Sequence, residues 1–181
     1  VRFLFGEPLE GRPDDGPSGD TRQTSEMFGT ICKLMEEMKA KNMELDMFLY
    51  EDMGRALVAG RQAGLLINVC TALEKRGITP SIEFYNLLLS ALPKKGYMQR
   101  AATLYERLIA RNMANFSTHM IRIEQLMSNG RLEDGIALYK QVHEKIAPTR
   151  VSFNILINGY LKNNRLHDAL KTLTDFKNAG R

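Results

Sequence analysis

From about Ser25 onward, apolar residues recur at steps of three and four. That spacing gathers them on one face of an α-helix. Met27, Phe28, Ile31, Leu34, Met35 and Met38 mark the first such face, and Lys39, Lys41 and Asn42 supply its end signals. The next helix is predicted from about Met47 to Ala59. Gly60-Arg-Gln-Ala-Gly64 turns the chain, and a partner helix runs to Arg76, with Gly77 where a left-handed C-cap is needed and Pro80 beyond it. The same grammar predicts helices from Ile82 to about Leu92, Met98 to about Arg111, Thr118 to Met127, Leu132 to Lys145, Val151 to Leu161 and Leu166 to Ala179. Pro93-Lys-Lys-Gly96, Ser128-Asn-Gly130 and Asn163-Asn164 form turns between them.

The helices come in pairs, and the pairs recur. Ala63, Met98, Leu132 and Leu166 stand at equivalent points, 35, 34 and 34 residues apart. A fixed period of this size means one helical hairpin stacked repeatedly. Small residues return at one interior point, Ala101, Gly135 and Ala169, where two helices can approach closely; Leu66 departs from the pattern. Four residues later stand Cys70, Tyr105, Tyr139 and Leu173, and three further on Leu73, Leu108, Val142 and Phe176. These steps keep them on one stripe facing the partner helix, so they are read as core. The fold class is therefore all-α, a solenoid of helix–turn–helix repeats. In such an array function lies on a repetitive surface more than in a pocket.

Residues 1–24 differ. Glu7-Pro8, Arg12-Pro13-Asp14-Asp15-Gly16-Pro17 and Ser18-Gly19-Asp20 break both helix and strand, which predicts an extended segment ahead of a solenoid over 25–181. Phe3-Leu4-Phe5 is its apolar exception, suited to docking. Charge follows the same division. Residues 1–27 hold three Arg against six Asp or Glu, a net −3, so the rest of the chain carries +7 of the total +4. A basic body suits a polyanion, and equally suits plain solvated lysine-rich faces. The chain opens on Val1, which suggests processing or an incomplete piece, and its acidic start is unlike a transit peptide. Apolar runs such as Leu65-Leu66-Ile67 are too short to cross a bilayer, so no membrane insertion is expected. Cys32 and Cys70 sit in apolar surroundings and are read as buried thiols.

Chemistry-bearing constellations are not found. Gly54-Arg-Ala-Leu-Val-Ala-Gly60 lacks the Lys-Ser/Thr ending of a phosphate-cradling loop. His119, His143 and His167 are spaced by 24 residues, which does not bring them to one helix face, and they are read as surface or groove residues. Asp14-Asp15, Glu36-Glu37 and Glu133-Asp134 read as solvated. No catalytic residue, metal site, cofactor or small-molecule substrate is expected, and the chain is not read as an enzyme.

Val151-Ser-Phe-Asn-Ile-Leu-Ile-Asn-Gly-Tyr, followed by Asn164-Arg-Leu-His-Asp-Ala-Leu, resembles the pentatricopeptide repeat, as does Ser81-Ile-Glu-Phe-Tyr-Asn-Leu-Leu-Leu after Gly77-Ile-Thr-Pro80. Residues 47–181 fit four repeats. Glu37-Met-Lys-Ala-Lys-Asn-Met-Glu-Leu-Asp46 fits the ending of a preceding half, giving about four and a half. The resemblance implies a right-handed α-solenoid that binds single-stranded RNA in an organelle, one base per repeat. It implies that a polar residue near the start of each first helix and the final residue of each repeat face one base. Those pairs would be Glu51 with Ser81, Asn86 with Asn115 or Phe116, and Met120 with Thr149; the partner of Asn154 would lie beyond Arg181. Asn offers both donor and acceptor, so Asn86 and Asn154 suit a base edge, whereas Glu51 is anionic and Met120 lacks a donor. Stacking positions three residues earlier fall on Phe48, Glu83, Ser117 and Val151, of which Phe48 and Val151 fit. Lys94 and Lys162 match a phosphate-facing position held by Ala59 and Ser128 elsewhere.

Two base sites in good order, each contributing on the order of 1–3 kcal/mol by stacking, predict weak binding with little selectivity. The expectation is thus a non-catalytic subunit that binds single-stranded organellar RNA inside a larger ribonucleoprotein complex, in a mitochondrion ahead of a chloroplast, alongside other protein subunits. The alternative is a purely structural scaffold of a large organellar assembly such as a mitochondrial ribosome. It draws on Glu51, Glu83 and Met120 in the groove and on Leu170, Leu173 and Phe176 left without a capping repeat.

Overall fold

The computed structural model describes residues 30, 33, 37, 40, 41, 46–92 and 97–179. The expectations for the segment 1–24, for Phe3-Leu4-Phe5, for Cys32 and for Lys94 fall outside these residues, as does most of the helix expected ahead of Met47. Among the described residues there are eight helices and no strand. They are α1 (Met47–Ala59), α2 (Ala63–Lys75), α3 (Ile82–Ser90), α4 (Met98–Ala110), α5 (Phe116–Ser128), α6 (Leu132–His143), α7 (Arg150–Lys162) and α8 (Leu166–Ala179). The periodicity placed all of them; α5 begins two residues earlier than expected because Asn115 caps it.

The first helix of every repeat starts on a side-chain cap. Asp46 accepts from the Phe48 N–H at 3.3 Å, Ser81 from Phe84 at 3.1 Å, Asn115 from Thr118 at 3.0 Å and Thr149 from Ser152 at 3.3 Å. Asn115 and Thr149 form reciprocal capping boxes, since Thr118 and Ser152 accept from the cap residues' own N–H groups. Such a cap satisfies donors that the helix leaves orphaned and contributes about 1 kcal/mol. The second helices α2, α4 and α6 begin at Gln62, Tyr97 and Arg131 without a side-chain cap. Arg131 and Arg165 instead pair with Asp134 and Asp168 in the first turns of α6 and α8, at 2.7 and 2.6 Å, where the carboxylates also meet the positive end of the helix dipole.

Helices α1, α2, α4, α5 and α7 end on left-handed residues. Arg61, Gly77, Asn112, Gly130 and Asn164 all have positive φ. The residue after each donates back over the last turn: Gln62 to the Leu57 carbonyl, Ile78 to Leu73, Met113 to Leu108, Arg131 to Leu126 and Arg165 to Tyr160. This is the Schellman pattern. Gly77 fills the role its sequence position suggested.

The chain divides into two compact halves, Val1–Leu92 and Pro93–Arg181. In the first, α1 packs along α3 and against α2. Leu65, Leu66, Val69, Cys70, Leu73, Phe84, Leu88 and Leu89 are buried. Gly54 lets α1 approach closely, since a Cβ there would lie 3.2 Å from Leu87 Cδ1 and 3.4 Å from Phe84 Cε2. Burial pushes the Cys70 thiol pKa up, in keeping with an inert core thiol.

In the second half, α5 pairs with α6 and α7 with α8, and α5 also packs along α7. Met120, Ile123, Met127, Leu132, Tyr139, Val142 and Leu156 form the core. Met127 is clasped by two glycines: a Cβ at Gly135 on α6 would lie 2.5 Å from its Cγ, and one at Gly159 on α7 2.5 Å from its Sδ. The small residue expected at position 135 is thus required by this contact. Asn163 ties the same corner by donating to the carbonyls of Met127 and Gly159, each at 2.8 Å.

The stripe read as core holds through Cys70, Leu73, Leu108, Tyr139 and Val142, while Tyr105 and Phe176 are only half-buried. On α8 it fails at Leu173, which is 48% exposed; Ala169 and Thr172 are the buried positions there, and Leu166, Leu170 and Leu173 form an outward apolar stripe. The period identifies a helix face without saying whether a neighbour covers it.

Candidate nucleic-acid interface

The residues that the resemblance implicates occupy three different settings. In the N-terminal half, Phe48 on α1 is 62% exposed. Glu51 follows three residues later and Arg55 four beyond that, a spacing that keeps all three on one face of the helix. The Arg55 guanidinium lies 5.8 Å from the centroid of the Phe48 ring and pairs with Asp52 at 2.7 Å. The Ser81 hydroxyl donates to Glu51 Oε1 at 2.7 Å while accepting from the Phe84 N–H. The pair named from sequence therefore does come together, joined by its own hydrogen bond. Asn86 sits half-buried on α3 and Glu83 is exposed there.

In the C-terminal half, Val151 is 57% exposed on α7, and Asn154 is exposed one turn along. The exposed Lys162, at the end of the same helix, donates to Ser128 Oγ at 2.9 Å. Ser128 and Lys162 are equivalent positions of successive first helices, so the contact runs from α5 to α7. Thr149 is exposed at the cap of α7. In the same half, Met120 is only 3% exposed and belongs to the core. It puts no side chain at the surface, so the repeat starting at Phe116 lacks a reading group at that position.

The three histidines, expected at the surface or in the groove, differ in burial: His119 and His143 are half-buried. His119 Nδ1 lies 2.8 Å from the Tyr105 hydroxyl, and burial lowers its pKa. His143 Nδ1 lies 2.7 Å from the Ile146 carbonyl, and its ring packs against Tyr139 and Phe116. Only His167 is exposed. The pattern along one helix could not show Tyr105 or Phe116, which come from neighbouring helices, whereas Tyr139 stands one turn before His143 on α6 itself.

Sequence reasoning also passed over two cations. Arg55 could have been found from its spacing to Phe48 and Asp52. Arg122 could not: nothing in the helix pattern marks it for burial, yet it is 5% exposed on α5. Its guanidinium stands 6.0 Å from the Tyr105 ring centroid, near enough for a cation–π attraction, and 3.4 Å from Gln125 Oε1. Burial, then the charge of Arg131, lower its pKa against Tyr105, Glu106 and Asp134. Among the described residues no group of His, Cys, Asp or Glu could hold a metal ion, and no helix is long and apolar enough to cross a membrane.

An all-α array of capped helical hairpins defines a helical-repeat protein. The pentatricopeptide repeat domain family matches residues 33–95, and the PPR repeat family matches residues 144–175. A mitochondrial pentatricopeptide repeat-containing protein of Arabidopsis thaliana is 31% identical over 137 residues, which cover 74% of this chain and 31% of that protein. The chain belongs to the pentatricopeptide repeat family. Its structure superposes on the pentatricopeptide repeat protein PPR10 in complex with an 18-nucleotide psaJ RNA element, with a TM-score of 0.70 and 19% identity over 86% of this chain and 23% of that one. Against PPR10 from maize the TM-score is 0.60, at 15% identity over 84% and 22%. The fold is an α-solenoid of helix–turn–helix repeats. The chain spans less than a third of the length of these relatives.

Proposed function

We propose that this chain is a non-catalytic repeat module that binds single-stranded RNA along its first helices, within a larger organellar ribonucleoprotein complex. The observation that carries this reading is the pairing, on both α1 and α7, of an exposed apolar side chain with a polar residue three positions later: Phe48 with Glu51, and Val151 with Asn154. A flat or branched apolar surface beside a hydrogen-bonding group is what an unstacked base requires. Ser81 and Thr149 stand at the repeat ends as second contacts. Asn86 adds a third reader, and Lys94 and Lys162 meet phosphate. The RNA-bound PPR10 shares the fold, and the Arabidopsis relative is mitochondrial, which supports RNA as ligand and a mitochondrion as the setting.

With Met120 buried and Glu51 anionic, affinity from this chain alone is low, so partners supply the rest. A salt titration with short single-stranded RNA tests the proposal. Binding at low salt that weakens as salt rises is expected; a folded protein that binds no RNA at low salt refutes it. The scaffold reading keeps one specific support, the exposed Leu166–Leu170–Leu173 stripe of α8. It gains if RNA fails to bind while changing these leucines to Gln releases a protein partner.

A further inference from the structure

We infer that the joint between α4 and α5 is a built-in release point, at which α4 detaches while the rest of the C-terminal half stays folded. This holds whether or not the chain binds RNA. Three residues stand four, seven and ten positions after the cap of each first helix. After Asp46 they are Tyr50, Met53 and Ala56, after Ser81 Tyr85, Leu88 and Ala91, and after Thr149 Phe153, Leu156 and Gly159. Each set is aromatic, then apolar, then small, and Tyr50, Tyr85, Leu88 and Leu156 are buried. After Asn115 the same places hold His119, Arg122 and Gln125. One first helix has thus exchanged an apolar stripe for a polar one.

The exchange does not bring these side chains out to water, since Arg122 is 5% exposed and Gln125 3%. His119 and Arg122 both meet Tyr105 of α4, the first through its ring nitrogen and the Tyr105 hydroxyl, the second over the Tyr105 ring. Gln125 Oε1 accepts from the Arg122 guanidinium at 3.4 Å. Among the described residues no carboxylate forms an ion pair with Arg122. Asp134, which acts on it through space, is taken by Arg131 at 2.7 Å. A buried charge without an opposite partner is costly, and well-packed apolar residues in its place are as stable or more so.

Within the C-terminal half the α4 backbone approaches α5 and no other described helix, so opening this one joint frees α4 from that half. Ala101, Leu104 and Leu108 of α4 are buried, so the joint is closed at rest, and the polar stripe lowers the cost of opening it. A helix of 13 residues without its support is marginal in water, so α4 loses its internal hydrogen bonds once detached.

Hydrogen exchange of the whole chain, read by mass spectrometry, tests the inference. Peptides from α4 should exchange at least about tenfold faster than those from α6 and α7, because local openings set the rate. Arg122→Leu supplies the residue type found at positions 88 and 156. It should slow exchange in α4 by about tenfold and leave α7 as in the parent. Equal protection of α4, α6 and α7 in the parent overturns the inference. So does an Arg122→Leu protein whose α4 exchanges as fast as before, or one that is less stable than the parent in thermal denaturation.

Discussion

Replacing Gly159 with Ala adds one methyl group to the tightest corner of the C-terminal half. The new Cβ would lie 2.5 Å from Met127 Sδ, 2.7 Å from its Cε and 3.0 Å from its Cβ. Carbon atoms attract best at about 3.5–4.0 Å, so all three contacts are repulsive. The sulfur and terminal methyl could swing aside, but the Met127 Cβ is fixed to its backbone. The opposite side of the chain is closed by α6, where a Cβ at Gly135 would sit 2.5 Å from Met127 Cγ. Overpacking of this kind costs about 2 kcal/mol. Alanine's better helix propensity returns about 1 kcal/mol, which leaves a net loss of about 1 kcal/mol. Met127→Ala alone should cost about 3 kcal/mol by leaving a cavity. In the double variant the added methyl points into that cavity, so the two effects should fall short of additivity by about 1–2 kcal/mol. Chemical denaturation followed by far-UV circular dichroism measures all four proteins. Strict additivity, or a Gly159→Ala protein more stable than its parent, would show that Met127 is not wedged between α6 and α7.

Two further outcomes follow from local geometry. Arg61 holds φ at 57° and Gly77 at 76°; the left-handed region costs a side-chain-bearing residue about 1–2 kcal/mol. Thermal denaturation should therefore find Arg61→Gly more stable than the parent by a few tenths to about 1 kcal/mol, after the entropy cost of glycine, and Gly77→Ala less stable by about 1 kcal/mol. The second concerns pH. Burial depresses the pKa of His119 in the folded protein, so below the unfolded value of about 6.5 the unfolded chain binds the extra proton and stability falls with pH. Denaturation midpoints compared at mildly acidic and neutral pH should drop more for the parent than for His119→Gln; an equal drop refutes the assignment.

How far the sequence reached can be judged residue by residue. Helix positions were readable because a 3.6-residue period needs only local information, and Gly77 announced its conformation by having no side chain. Three features depended on tertiary neighbours instead. Met120 aligned with a reading position, yet it turns inward because α5 buries it against Ile123, Tyr139 and Leu156. Leu173 aligned with a core stripe, yet it faces out. The Ser81–Glu51 bond joins residues 30 positions apart. The alignment paired them, but that their donor and acceptor roles answer each other is visible only in three dimensions.

The caps at Asp46, Ser81, Asn115 and Thr149 bear on how such arrays diversify. Each terminal residue of a repeat is thermodynamically part of the helix that follows, so a boundary drawn after it parts that helix from its own stabiliser. Modular transplants should carry the residue before α1, α3, α5 or α7 along with the helix. Helix capping admits Ser, Thr, Asp and Asn and little else. On the proposed reading, the alphabet available for changing base preference at that point was narrowed by helix initiation before any RNA was met.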